Sequence, residues 1–217
     1  PGQLRVAIKA VGISYVDVLT AMGKYQFTPP LPFIPGSEYA GVVEAVGEGV
    51  TNFAVGDHVN GSGMGGIFSE MNNFPASNVN RVPEGMDLET AAIFPVNYLT
   101  AWHALVDRGR AQKGETLLVL GAAGGTGFAA IQVGKYLGLR VVASASSEAK
   151  RAAALAGGAD AAVETGAADW RDQVNAANNG KGIDLVFDPV GGDAPGAILL
   201  GTTYDGRDVA GRLSVRL

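Results

Sequence analysis

An apolar run, Thr116-Leu-Leu-Val-Leu120, leads directly into Gly121-Ala-Ala-Gly-Gly-Thr-Gly127, and a helical apolar pattern, Phe128-Ala-Ala-Ile-Gln-Val-Gly-Lys-Tyr136, follows. Small residues at this spacing between a strand and a helix suit the binding of phosphate. Aligned to G-x-G-x-x-G, the key positions are Ala122, Gly124 and Gly127. The first must be small for a tight turn, the second bare so that backbone can approach a pyrophosphate, and the third small where helix meets sheet. The helix start adds orphan amides and the positive end of the helix dipole. In a chain with 32 glycines among 217 residues such a pattern is weak alone. Its context strengthens it, with a strand before, a helix after and a second strand about 20 residues on. A glycine turn that serves packing alone is the alternative. A P-loop is excluded, since no Gly-Lys-Ser/Thr follows the glycines.

The second strand bears on which dinucleotide. An NAD site usually ends that strand with Asp or Glu, which accepts from the ribose 2′-hydroxyl. Here Val142-Ala-Ser-Ala-Ser-Ser147 carries hydroxyls and no acid, and Lys150 and Arg151 follow. Hydroxyl and cationic donors suit a 2′-phosphate, so the expected cofactor is NADPH, with Ser144, Ser146 and Lys150 toward the phosphate. Lys150 and Arg151 point in different directions on a helix, and the role is placed on Lys150.

These residues need elements to hold them. Leu4, Val6, Ile8 and Ala10 alternate with polar or small residues, as in a half-buried strand. Ser14 is a candidate cap for a short helix ending near Gly23. A proline-rich loop follows, then strand candidates over 38–46, 57–60, 67–74 and 79–82, a spacing that predicts a small antiparallel, barrel-like β domain. Asp87 and Pro95 read as two helix starts. Strands predicted at 116–120, 140–144 and 183–187 alternate with helices at 125–137, 147–155 and 168–177, which argues for a parallel sheet with helices on its faces. The Ala-rich stretch 149–168 reads as an exposed helix and a turn.

Composition narrows the field. Without Cys the chain has no disulfide, thiolate zinc site, iron–sulfur cluster or cysteine nucleophile, and it suits a reducing compartment. A net charge of −5 with no basic run argues against nucleic-acid or anionic-membrane partners, and no apolar stretch reaches spanning length. A start at Pro1 without Met and an end inside a strand-like pattern, Arg212-Leu-Ser-Val-Arg-Leu217, suggest a piece of a longer protein.

In order along the chain stand Gly12-Ile-Ser-Tyr-Val-Asp17, Gly23-Lys-Tyr25, Pro32-Phe-Ile-Pro-Gly-Ser-Glu-Tyr-Ala-Gly-Val-Val-Glu-Ala-Val-Gly47, Val55-Gly-Asp-His-Val59, Tyr98-Leu-Thr-Ala-Trp-His-Ala-Leu105, Gly121–Gly127 and Phe187-Asp-Pro-Val-Gly-Gly192. Over Pro1 to about Asp193 the sequence resembles the zinc-independent quinone oxidoreductases of the medium-chain dehydrogenase/reductase superfamily. The resemblance implies a GroES-like β-barrel catalytic domain over residues 1–94, lacking its N-terminal strand. A partial Rossmann (doubly wound parallel sheet) NADP-binding domain over 95–217 would follow, with NADPH in the cleft between. It implies hydride transfer to a small-molecule quinone or enone in a cytoplasmic homodimer.

Residue by residue, Tyr25 matches the family tyrosine facing the nicotinamide, a candidate proton donor. Ser14 stands where many members have Asn near the cofactor. Asn97 and Thr100 match positions beside the nicotinamide and its ribose; Ala123, Gly124, Gly125, Thr126 and Gly127 match the pyrophosphate turn; and Val190 lines the ribose side. No metal is expected. Zinc-dependent relatives carry a ligand His where this chain has Ser37, and His58 and His103 lie far apart in sequence. Thr165 replaces a cofactor-side tyrosine, which weakens the adenosine site. Reduction of enoyl thioesters on the same scaffold and a non-catalytic, crystallin-like role are the alternatives.

Overall fold

A computed structural model describes residues 1–191 and 202–210, and of the last segment only the Arg207 side chain. The stretch 212–217, read above as strand-like, lies outside the described residues. Contacts divide the chain into two compact units, residues 1–96 and Asn97 onward. In the first unit, strands β1 (Gln3–Gly12), β2 (Glu38–Val46), β3 (His58–Ser62), β4 (Met71–Pro75) and β5 (Val79–Arg81) form an antiparallel sheet in the order β4-β1-β2-β3-β5. Two register shifts interrupt the β1–β2 ladder, and such bulges bend a sheet so that it wraps its own core. That core holds Leu4, Val6, Tyr39, Val43, Val59, Ile67, Phe74 and Val79. The strand expected from residue 67 begins only at Met71. Ile67 is apolar because it plugs the core from a loop, after Gly65 and Gly66 turn the chain at positive φ.

The second unit is the predicted parallel sheet. Strands β6 (Thr116–Val119), β7 (Arg140–Ala145), β8 (Ala161–Glu164), β9 (Ile183–Asp188) and β10 (Thr202–Ala210) run in the order β10-β9-β6-β7-β8. Alternate residues of the strands feed two cores, Leu117, Val119, Val141, Ala143, Leu185 and Phe187 on one face and Leu118, Val142, Val163 and Val186 on the other. Helices α3 (Gly125–Tyr136), α4 (Glu148–Ala156) and α5 (Trp170–Ala177) connect the strands. The stretch 149–168, read as helix and turn, also contains β8. This is a four-residue edge strand with a single buried residue, Val163, and its alanines carry no strand signal.

The two helix starts also merge. Helix α2 (Leu88–Trp102) runs through Pro95, and a wide π-helical stretch, His103–Arg108, follows. Thr90 N–H donates to Asp87 Oδ1 at 2.7 Å, so Asp87 does cap this helix. Pro95 has no N–H for the Ala91 carbonyl, and its ring also disrupts the bond that Val96 N–H would make one turn back. Both freed groups are caught from the sheet. Asn60 Nδ2, on β3, donates to Ala91 O at 2.9 Å, and Val96 N–H donates to Glu38 Oε2, on β2, at 3.1 Å. Asn60 is 6% exposed and Glu38 2%. Burial pushes the Glu38 carboxyl above its ordinary value; the Val96 N–H works against the shift, and the charge of Asp17 adds to it.

Two expectations follow. Asn60→Ala strands a buried carbonyl and lowers stability by about 1–3 kcal/mol. The loss is smaller in a Pro95→Ala background, where residue 95 again carries an N–H for Ala91; strictly additive losses in a urea double-mutant cycle would refute this. A carboxyl with a raised folded pKa binds more protons folded than unfolded, so its stabilisation is full below the unfolded value and is lost as pH rises through the folded one. Glu38→Gln, which keeps an acceptor for Val96, therefore gains stability over the parent as pH rises from its ordinary value of 4.5. Parallel stability–pH curves for the two would count against it.

Candidate functional site

In the second unit a cavity of about 390 Å³ is lined by Gly121, Ala123, Gly124, Ala145, Ser146, Lys150, Thr165 and Val190. All but Lys150, which lies in the first turn of α4, follow or end a strand: Gly121 to Gly124 follow β6, Ala145 and Ser146 lie at the end of β7, Thr165 follows β8 and Val190 follows β9. β6 and β9 are neighbours although they are not consecutive in the chain, and ligands of open α/β sheets bind at such a reversal of strand order. Among the described residues Lys150 is the one charged residue on the wall, and none of them puts a carboxylate there.

The glycine turn differs in one detail from its alignment. The left-handed residue is Gly121, at φ +57°, while Ala122 is fully buried and its N–H donates to the Ser144 carbonyl at 3.2 Å. Gly124 is the N-cap of α3, with no side chain capping the helix. A Cβ built there would meet only Gly121 O, at 3.3 Å, so this residue stays open toward the cavity that it lines. At Gly127 a Cβ would stand 2.4 Å from Gly121 O, which enforces glycine where helix meets strand.

The structure brings Asn97 and Thr126 together: Thr126 Oγ1 donates to Asn97 Oδ1 at 3.1 Å. A Cβ at Gly125 would lie 2.7 Å from that same amide oxygen. Thr100 is exposed farther along α2. Ser146 and Lys150 share the cavity wall, with Lys150 Nζ 3.5 Å from Ser146 Oγ. Arg151 is tied elsewhere, 3.4 Å from the Ala145 carbonyl and 3.9 Å from Glu164 Oε2. Ser144, expected toward the phosphate, sits behind the wall. It is fully buried, and its hydroxyl bonds Thr165 Oγ1 at 2.8 Å and accepts from Trp170 Nε1 at 3.0 Å. Thr165, read above as a loss to the adenosine site, puts a hydroxyl on the wall instead.

In the first unit Ser14 caps α1 (Tyr15–Ala21) in a capping box with Asp17. The Asp17 carboxylate, 6% exposed, accepts from Ser14 N–H at 2.7 Å, Ser14 Oγ at 2.8 Å and Ser37 Oγ at 3.1 Å. With their protons directed to Asp17, the two hydroxyls have only lone pairs to present outward. Sequence reasoning passed over Asp17, although Ser followed by Asp three residues on is the signature of such a cap. A small pocket of about 30 Å³ beside this cluster is lined by Tyr25, Phe27, Phe33 and Met64 among others. The Tyr25 hydroxyl has no hydrogen-bond partner among the described residues.

A neutral glycine turn, an open backbone at Gly124 and a lysine with two hydroxyls on a wall to which the described residues bring no carboxylate fit a dinucleotide with an additional phosphate. The chain has no Cys, and among the described residues no three His, Asp or Glu side chains converge. His58 is exposed on β3, and His103 Nδ1 lies 2.8 Å from Asp107 Oδ2, one helical turn along an exposed face.

Both units resemble known proteins. Residues 1–84 match the alcohol dehydrogenase GroES-like domain family and residues 125–210 the zinc-binding dehydrogenase family. The synaptic vesicle membrane protein VAT-1 homolog of Homo sapiens is 38% identical over 192 residues, 88% of this chain and 49% of that protein. Crystal structures of the quinone oxidoreductase from Thermus thermophilus and its complex with NADPH match with 36% identity and a TM-score of 0.83, over 95% of this chain and 64% of that one. The CurK enoyl reductase matches with 30% identity and a TM-score of 0.87, over 95% of this chain and 64% of that one. The chain thus spans about half the length of the curated VAT-1 relative. With its GroES-like antiparallel sheet, its Rossmann sheet and no cysteine to bind zinc, the chain belongs to the zinc-independent quinone oxidoreductase family of the medium-chain dehydrogenase/reductase superfamily.

Proposed function

We propose that this protein binds NADPH and reduces a quinone or another conjugated carbonyl by hydride transfer, without a metal. The observation that carries the reading is the cavity at the ends of β6 to β9, whose one charged wall residue among the described residues is Lys150. The NADPH complex of the Thermus thermophilus quinone oxidoreductase supports it by relationship. NADPH, when bound, supplies the hydride. The chain's residues do the rest. Gly124 and the first turn of α3 receive the pyrophosphate with bare backbone and uncapped amides. Ser146 and Lys150 hold the 2′-phosphate, Thr126 joins the pyrophosphate turn, Asn97 and Thr100 stand beside the nicotinamide and its ribose, and Val190 lines the ribose side. Ser14 accepts a hydrogen bond from the cofactor, its own proton being held by Asp17. Tyr25, whose hydroxyl has no partner among the described residues, donates to the acceptor's oxygen as charge develops there. Phe27, Phe33 and Met64 line the small pocket beside the Tyr25 ring. The reading extends to a cytoplasmic homodimer acting on small molecules.

The CurK relationship favours a second substrate, an enoyl thioester, on the same scaffold. Steady-state NADPH oxidation with a panel of quinones, enones and enoyl-CoA separates the two. Turnover of quinones is expected, and tight NADPH binding without transfer to any acceptor would leave a non-catalytic role. Turnover of enoyl-CoA, with a loss on Tyr25→Phe, would favour the thioester. Lys150→Ala removes a charge-assisted bond worth about 1.5–3 kcal/mol, so the Kd for NADPH rises roughly tenfold or more while that for NADH stays. Equal effects on both cofactors would exclude a 2′-phosphate role for Lys150.

A further inference from the structure

We propose that Trp170, acting through Ser144, fixes the Thr165 hydroxyl as a hydrogen-bond donor toward the 2′-phosphate, so that Trp170 and Ser144 are positioning residues for cofactor choice. The inference rests on the NADPH reading above and adds to it residues that touch the ligand only indirectly. An indole N–H can donate and never accept. Trp170 Nε1 donates to Ser144 Oγ at 3.0 Å. Ser144 is fully buried and has one proton of its own, and its other hydroxyl contact is Thr165 Oγ1 at 2.8 Å. Were Thr165 the donor in that contact, the Ser144 proton would be stranded in the core, a costly state for a buried donor. The protons therefore run from Trp170 to Ser144 to Thr165.

Thr165 Oγ1, accepting from behind, is left with its own O–H, which has no partner among the described residues. Thr165 lines the cavity together with Ser146 and Lys150, and its N–H, bonded to Ala145 O at 3.1 Å, holds it at that wall. The wall thus carries a third donor whose direction is imposed from inside the fold. An acidic residue at an NAD site accepts from a 2′-hydroxyl; this relay has the opposite polarity and favours a phosphate oxygen.

Adenosine 2′,5′-bisphosphate and 5′-AMP differ only in the 2′-phosphate, and calorimetry of both on the protein reads the preference directly. Thr165→Val is expected to lower the preference for the bisphosphate about tenfold, and Thr165→Ser to retain it. Trp170→Phe keeps the ring but lets Ser144 turn its acceptor to Thr165, so the preference falls severalfold although residue 170 is not on the cavity wall. A wild-type preference that neither Thr165→Val nor Trp170→Phe alters overturns the relay alone. No wild-type preference overturns the 2′-phosphate reading and the relay with it. Should Trp170→Phe fail to fold, the wild-type indole N–H resonance of Trp170, assigned with Trp102→Phe, decides. It is expected to shift on addition of the bisphosphate and not of AMP, and an unmoved resonance overturns the relay.

Discussion

Everything in the second unit is arranged around one close approach, that of helix α3 to the turn after β6. With 2.4 Å between a Cβ at residue 127 and the Gly121 carbonyl oxygen, no side chain fits, and the helix begins directly over the strand end. That proximity leaves Gly124 on the cavity wall and the first turn of α3 without a side-chain cap. It extends to Asn97, whose amide oxygen occupies the space that a side chain at residue 125 would need and there meets Thr126. Part of the chain's glycine excess is the geometric cost of bringing backbone where side chains would otherwise stand.

The first unit rests on a complementary device, buried polar groups that answer each other. Pro95 frees a carbonyl and an amide, and the amide of Asn60 and the carboxyl of Glu38 take them up. Gly12 leaves room for that carboxyl: a Cβ there would lie 2.2 Å from Glu38 Oε1. Asp17 similarly gathers Ser14 and Ser37, the latter at the position where zinc-dependent relatives carry a ligand His. Truncating any one of these residues strands a partner, whereas the intact set is satisfied, which is why such networks behave as units.

Most of the fold was legible because strand and helix periods are local. β2 and α3 begin where the pattern begins, and Ser14 and Ser147 cap the helices that follow them. β8 was not legible, since an edge strand of Ala-Ala-Val-Glu buries too little to imprint a pattern. Pro95 misled because proline at a first helical turn and proline inside a helix look alike in sequence; the difference lies in whether a distant residue receives the orphaned groups. Ile67 misled because burial from a loop and burial from a strand both demand an apolar side chain.

By itself the sequence determined the chemistry available: a phosphate-sized glycine turn between strand and helix, a second strand without a terminal acid, a lysine beyond it, and no cysteine to bind zinc. Those are matters of residue type and short spacing. Only the tertiary structure decided which polar groups are committed and in which direction. Ser144 lies 21 residues from Thr165 and 26 from Trp170, and Asn60 lies 31 from Ala91. A hydrogen bond depends on position within a few tenths of an ångström, and its donor is chosen by what else is buried beside it, which no local pattern encodes.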